Sequence, residues 1–175
     1  MEKLILVDTR DEQMGVIGKW EAHQKALLHR AFSIFIFDSK GDMLLHQRAI
    51  NKYHSGGLWT NACCSHPYEG QQIKNAAEKR LLEEMGFSVS LRKAFEFIYK
   101  ASFENGLTEY EYDHVFVGVF DGEIFPDEKE VKDYAFVNMN DIKNSLKSHP
   151  HNYTEWFKIA FPKMENYLAD VQKLK

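Results

Sequence analysis

Two cysteines stand side by side, Cys63 and Cys64, inside the segment Thr60-Asn61-Ala62-Cys63-Cys64-Ser65-His66-Pro67. In an extended chain, a side-chain period of two puts Ala62, Cys64 and His66 on one face and Cys63 on the other. Cys64 and His66 then share a site while Cys63 turns into packing; burial of both thiols as small hydrophobes is the alternative. A second group is Glu109-Tyr110-Glu111-Tyr112-Asp113. The same period lines up Glu109, Glu111 and Asp113, three carboxylates that repel one another unless water or a cation lies among them. A solvated edge face is the plain reading of such a stripe, but the apolar run Val115 to Phe120 carries the strand toward a core. Three histidines, His23, His29 and His66, could join two of these carboxylates around a divalent ion of the Mn, Mg or Zn kind. His23 and His29 are not four apart, so an irregular or extended stretch must separate them. Glu83 and Glu84 fall in the last turn of a candidate helix, where negative charge opposes the helix dipole and a cation would offset it. Lys19, Arg48, Lys52 and Arg80 could hold a polyanion such as a diphosphate; singly, each reads as a surface charge.

Elements must bring these residues together. Lys3 to Val7 and Met14 to Lys19 read as strands around the polar turn Asp8 to Gln13, and Trp20 to Leu28 as helical or irregular. Phe32 to Phe37, aromatic and β-branched, predicts a buried strand, with Met43 to Arg48 as its hairpin partner across Asp38 to Asp42. Gln71 to Met85 carries apolar residues near a 3.6 period and ends at Gly86, which predicts a helix. Phe87 to Leu91, Phe95 to Phe103, Thr108 to Phe120 and Tyr134 to Val137 read as strands, with Asn105-Gly106 as a tight turn. Asp141 to Lys147 and Trp156 to Leu174 read as helices. The pattern predicts an α/β or α+β sandwich around a mixed sheet.

The chain has 175 residues, the size of one domain, and residues 1–175 are read as one. A net charge of −4 disfavours a nucleic-acid partner. Two adjacent cysteines exclude a disulfide scaffold. The first residues carry no signal-peptide core, and no apolar run is long enough for a membrane span. A reducing, cytoplasmic setting is expected, with no membrane partner. Aromatic residues, 14% of the chain, suggest a deep core or an aromatic-lined cavity.

Taken in order, these residues resemble the type I isopentenyl-diphosphate isomerases of the Nudix superfamily. The resemblance runs from about Lys3 to Trp156. It rests on Lys19 and His23, His29 to Ser33, Arg48-Ala49 with Lys52, and Trp59-Thr60-Asn61 leading to Cys64-Ser65-His66-Pro67. Arg80, Glu83-Glu84-Met85-Gly86, Tyr99, Glu109-Tyr110-Glu111 and Thr154-Glu155-Trp156 complete it. The Nudix pattern itself is degraded. Anchored on Gly86, it meets Ser65 instead of Gly, Gln71 instead of Glu, and Lys79-Arg80 instead of Arg-Glu. That argues against ordinary Nudix hydrolysis.

The resemblance implies a Nudix-like α/β/α sandwich around a mixed β-sheet. It implies conversion of isopentenyl diphosphate into dimethylallyl diphosphate through a carbocation. Cys64 and Glu111 would exchange the protons, Tyr99 would assist near Glu111, and Trp156 would face the cation. His23, His29, His66, Glu109 and Glu111 would bind a first ion, Mn²⁺, Mg²⁺ or Zn²⁺. Glu84 would help hold a second, Mg²⁺, that also takes diphosphate oxygens. Lys19, Arg48, Lys52 and Arg80 would neutralise the diphosphate of this small-molecule substrate. The protein would act as a monomer or a homodimer. A Nudix diphosphohydrolase and a non-catalytic metal-dependent binding module are the competing readings.

Overall fold

A computed structural model describes residues 3–52, 54–103 and 105–173. The chain opens with a hairpin, β1 (Lys3–Val7) and β2 (Gln13–Gly18). Its turn is held by the Asp8 carboxylate, which accepts from the backbone N–H of Arg10 and Glu12 at 2.8 and 3.0 Å. A short helix, α1 (Lys19–Lys25), is followed by β3 (His29–Phe37), β4 (Met43–Arg48), β5 (Trp59–Thr60) and β6 (Cys63–Ser65). Then come α2 (Ile73–Met85), β7 (Arg92–Ser102), β8 (Thr108–Val119), β9 (Val131–Val137), α3 (Met139–Ser148) and α4 (Glu155–Lys173).

β3 is the centre of the molecule. It runs parallel to β8 over its whole length, from His29 opposite Glu111 to Phe37 opposite Val119. Along its other edge it pairs antiparallel with β6, Ser33 lying opposite Cys64. β7 extends the sheet beyond β8, and the β1–β2 hairpin joins at His29. Alternation along β3 divides the core between two faces. Phe32, Ile34 and Ile36 pack with Ala77, Leu81 and Met85 of α2. Phe35 and Phe37 pack on the other side with Phe157, Ala160 and Phe161 of α4. The result is the expected mixed sheet between helical layers.

Four expectations need correction. Met43–Arg48 is a strand, but it meets β3 only at Phe37–Met43 and then pairs along its length with β9. Phe87 to Leu91 is not a strand: Phe87 and Leu91 are buried in the α2-side core, and the Leu91 N–H donates to Glu78 at 2.9 Å rather than to a neighbouring strand. Ala62 does not share a face with Cys64. The chain kinks between β5 and β6, so Ala62 and Cys63 both enter the α2-side core. The carboxylate stripe of β8 is no solvated edge, since Glu109, Glu111 and Asp113 are all buried. The last helix was expected to reach Leu174, which lies outside the described residues; it is helical through Lys173. Among the described residues, no helix is long and apolar enough to cross a membrane.

Candidate active site

Three elements deliver histidines to one spot. α1 ends in a left-handed Ala26, and the chain turns there into β3. His23 on the helix and His29 at the start of the strand then face each other, ring centroids 5.2 Å apart. His66, one residue past β6, lies 5.1 Å from His29 and 6.0 Å from His23. Glu111 reaches the group from β8, its Oε1 2.9 Å from His66 Nε2 and 3.6 Å from His29 Nε2. Ligand atoms of these four residues all lie within 4.8 Å of one another.

The donor set fits a divalent cation. His29 must donate its Nδ1–H to the Leu27 carbonyl, 2.8 Å away, because a carbonyl can only accept. That fixes the tautomer and leaves Nε2 as a lone-pair donor, buried and without a hydrogen bond. Burial, then the neighbouring His66 and His29, hold His23 down to about 3, so its ring is neutral. Burial lowers His66 as well. Burial acts against ionisation of Glu111, but the adjacent His29 and His66 outweigh it and keep the carboxyl well below its ordinary range. Burial works against protonation of His29, but Glu111 outweighs it and raises this ring above its ordinary value, so a metal ion would take the place of the proton that Glu111 favours there.

Tyr99, on β7 opposite Glu111, donates its hydroxyl toward Glu111 at 2.7 Å and Glu109 at 3.0 Å. One proton serves two acceptors, so the two carboxylates are tied together through it. Burial and the adjacent carboxylates raise Tyr99 far above the ordinary phenol range, and it remains a donor. Glu109 stands outside the four-residue group; its Oε1 lies 3.1 Å from His54 Nε2. Cys64 comes from the opposite side of β3. Its thiol donates to Asn61 Oδ1 at 3.2 Å and lies 3.4 Å from Ser33 Oγ. Burial, reinforced by Asp113, pushes this thiol upward, so it is held as S–H. Cys64, Tyr99, Glu109, Glu111, His66 and Trp156 line one cavity.

Lys19, Arg48, Lys52 and Arg80 open onto that same cavity. Arg48 lies over the Trp156 ring, 5.1 Å from its centroid, so one face of this indole already holds a cation. The Arg48 Nε is buried with no hydrogen-bond partner among the described residues, which a bound anion would relieve. Arg80 spends its guanidinium on carboxylates: Glu84 at 2.7 Å, Glu130 at 3.0 Å and Glu83 at 3.3 Å. Lys52 also pairs with Glu130. The Glu83–Glu84 pair is therefore split, Glu83 exposed and Glu84 buried at the cavity. Burial raises Glu84, opposed by Arg80.

Every residue to which the resemblance gives a role thus reaches this cavity or the histidine cluster beside it, whereas Cys63, Glu83 and Asp113 do not. Sequence reasoning missed His54 and Glu130. His54 stacks on Phe103 and meets the edge of Trp156, and its nearest signal was the adjacent Ser55-Gly56-Gly57 turn. Glu130 sits in the charged run Asp127-Glu128-Lys129-Glu130, where nothing marks it from its neighbours.

The NUDIX domain model matches residues 27–157. The isopentenyl-diphosphate Delta-isomerase 2 of Photorhabdus laumondii is 53% identical, over 90% of this chain and 89% of its own length. The isopentenyl-diphosphate Delta-isomerase of Burkholderia multivorans is 49% identical, over 89% of each chain. Among solved structures, DR0079 from Deinococcus radiodurans superposes with a TM-score of 0.76 at 16% identity, covering 93% of this chain and 98% of that one. The MutT protein of Methanosarcina mazei gives 0.66 at 17% identity, covering 79% and 94%. On the extent of these matches, the chain belongs to the Nudix superfamily and, within it, to the isopentenyl-diphosphate Delta-isomerase family.

Proposed function

We propose that this protein isomerises isopentenyl diphosphate to dimethylallyl diphosphate by adding one proton and removing another. The observation that carries this reading is the meeting of Cys64 with the Tyr99–Glu111 pair across one cavity rimmed by cations. Cys64 sits on β6 and Glu111 on β8, the two strands that flank β3, so they face a substrate from two sides. One group gives a proton to the terminal alkene carbon, which leaves a tertiary cation. The other takes a proton from the neighbouring methylene, which restores a double bond. An alkene is a very weak base, so the acid must work where charge is stabilised as it forms. Trp156, almost fully buried, offers its π system there. Tyr99 holds Glu111 in place by hydrogen bonding.

His23, His29, His66 and Glu111 would hold the first ion, with Glu109, linked to Glu111 through Tyr99, completing the set. Glu84 would help hold a Mg²⁺ with the diphosphate. When bound, these divalent ions, Mn²⁺, Mg²⁺ or Zn²⁺ at the first site, supply positive charge that keeps Glu111 ionised and neutralises the diphosphate. Lys19, Arg48, Lys52 and Arg80 bind the diphosphate and orient the five-carbon tail toward Cys64. Arg80 also speaks against hydrolysis, because it places a cation where the Nudix pattern has a glutamate. The free thiols of Cys63 and Cys64 suit the reducing cytoplasm.

The test is incubation of the protein, loaded with Mn²⁺ and Mg²⁺, with isopentenyl diphosphate. Dimethylallyl diphosphate forming without inorganic phosphate is the expected result. Phosphate release, or binding without turnover, would contradict the reading.

A further inference from the structure

Asp113 is the third carboxylate of the β8 stripe, and neither the metal cluster nor the diphosphate site uses it. It is 1% exposed, and its Oδ1 has no hydrogen-bond partner among the described residues. Its other oxygen, Oδ2, accepts from Ser33 Oγ at 2.7 Å. Ser33 in turn lies 3.4 Å from Cys64 Sγ. Three side chains from three adjacent strands therefore form one line on one face of the sheet: Asp113 on β8, Ser33 on β3 and Cys64 on β6. A buried carboxyl this close to Glu111 is costly and needs a reason beyond packing. With its hydroxyl proton directed at Asp113, Ser33 turns a lone pair toward the thiol. Asn61 Oδ1 accepts from the thiol on the other side, at 3.2 Å. The single thiol proton thus lies between two acceptors, Asn61 Oδ1 and Ser33 Oγ, and Asp113 sets the second of them. Asp113 also belongs to the strand that carries Glu111, two residues away on the same face, so the line fixes the thiol relative to that carboxylate.

We propose that Asp113 is a positioning residue that acts through Ser33 to hold the Cys64 thiol in register with Glu111. The inference rests on the role given to Cys64 above. The hydrogen bonds of Ser33 and Asp113 run to each other and to Cys64, away from the diphosphate site, so their loss should slow turnover without weakening substrate binding.

A double-mutant cycle on the metal-loaded protein tests this, with kcat and KM for isopentenyl diphosphate measured in Ser33→Ala, Asp113→Asn and the double variant. Each single variant is expected to lose on the order of tenfold in kcat with KM unchanged. The double variant should be no slower than the slower single one, because both changes break the same line. Ser33→Thr, which keeps the hydroxyl, should recover most of the rate. Should Asp113→Asn fail to fold, Asp113→Ser takes its place in the cycle. Losses that multiply, a change confined to KM, or normal kcat in both single variants would overturn the proposal. Cys64→Ala is measured alongside. If that variant keeps its activity, the role of Cys64 itself is wrong and this inference falls with it. If Cys64→Ala is inactive while Ser33→Ala and Asp113→Asn behave normally, only the positioning claim fails.

Discussion

Cys63 and Cys64 are neighbours in sequence with opposite fates. Cys63 is fully buried in the α2-side core, while Cys64 lines the cavity. Cys64→Ala should abolish turnover, and Cys63→Ala should leave it near normal with a small loss of stability, about 1 kcal/mol. Steady-state rates and thermal melts check this; equal loss of activity in both would refute the assignment. The histidine cluster makes a separate prediction. His23→Ala removes one imidazole of the proposed metal site, and elemental analysis after dialysis should find the bound metal largely gone. Unchanged metal content would exclude His23 as a ligand. Trp156 is packed as well as placed, so Trp156→Phe should slow the reaction less than Trp156→Ala, by roughly 1 kcal/mol or more in barrier. At this scale much of the site was legible. Period-two alternation alone put Cys64 and His66 together and Cys63 apart, and aligned Glu109, Glu111 and Asp113. Alternation could not show that the stripe is buried, because burial depends on what packs over that face, and His54, Cys64 and Trp156, which share its cavity, lie more than about forty residues away in sequence. His54 and Glu130 carried no periodic signal at all.

Elements were read best where a local rule decides. Gly86 ends α2 in the left-handed region at φ 73°, and a Cβ there would stand 2.0 Å from the Phe125 carbonyl oxygen. Gly86→Ala should therefore destabilise the protein by at least about 2 kcal/mol, read from denaturant midpoints. Pairing between distant strands was not legible. β4 looks like the partner of β3 across a short turn, yet the twisted sheet sends it to β9, some ninety residues on. His46 lies in that β4 ladder, fully buried, with Nδ1–H donated to the Ala62 carbonyl at 2.8 Å. Burial lowers it from 6.5 to about 4. Between those values the unfolded chain carries the proton and the folded chain does not, so stability falls as pH drops from about 6.5 toward 4. His46→Asn keeps a donor toward Ala62 and should remove about 2 kcal/mol of the stability lost between pH 7 and pH 5. Denaturant unfolding at the two pH values measures it; an unchanged acid dependence would show that His46 is not the group responsible.

At the scale of the molecule, one strand organises everything. β3 contributes to both cores, starts with His29, and separates the strands that bear Cys64 and Glu111. The architecture is shared with DR0079 at 16% identity, so the fold tolerates wide change in sequence. What the proposed reaction asks of that frame is a handful of side chains: Arg80 on the helix, Cys64 after the kink, Trp156 at the start of α4. The fold class was legible because element types follow local pattern; the parallel β3–β8 pairing was not, because some eighty residues separate His29 from Glu111. The central claim is that protons pass between the substrate and two exchangeable protein groups. Running the reaction on isopentenyl diphosphate in D₂O and following it by NMR tests that claim directly. Deuterium in the dimethylallyl diphosphate formed, with no phosphate released, is the expected result; a product free of deuterium, or inorganic phosphate in its place, would contradict it.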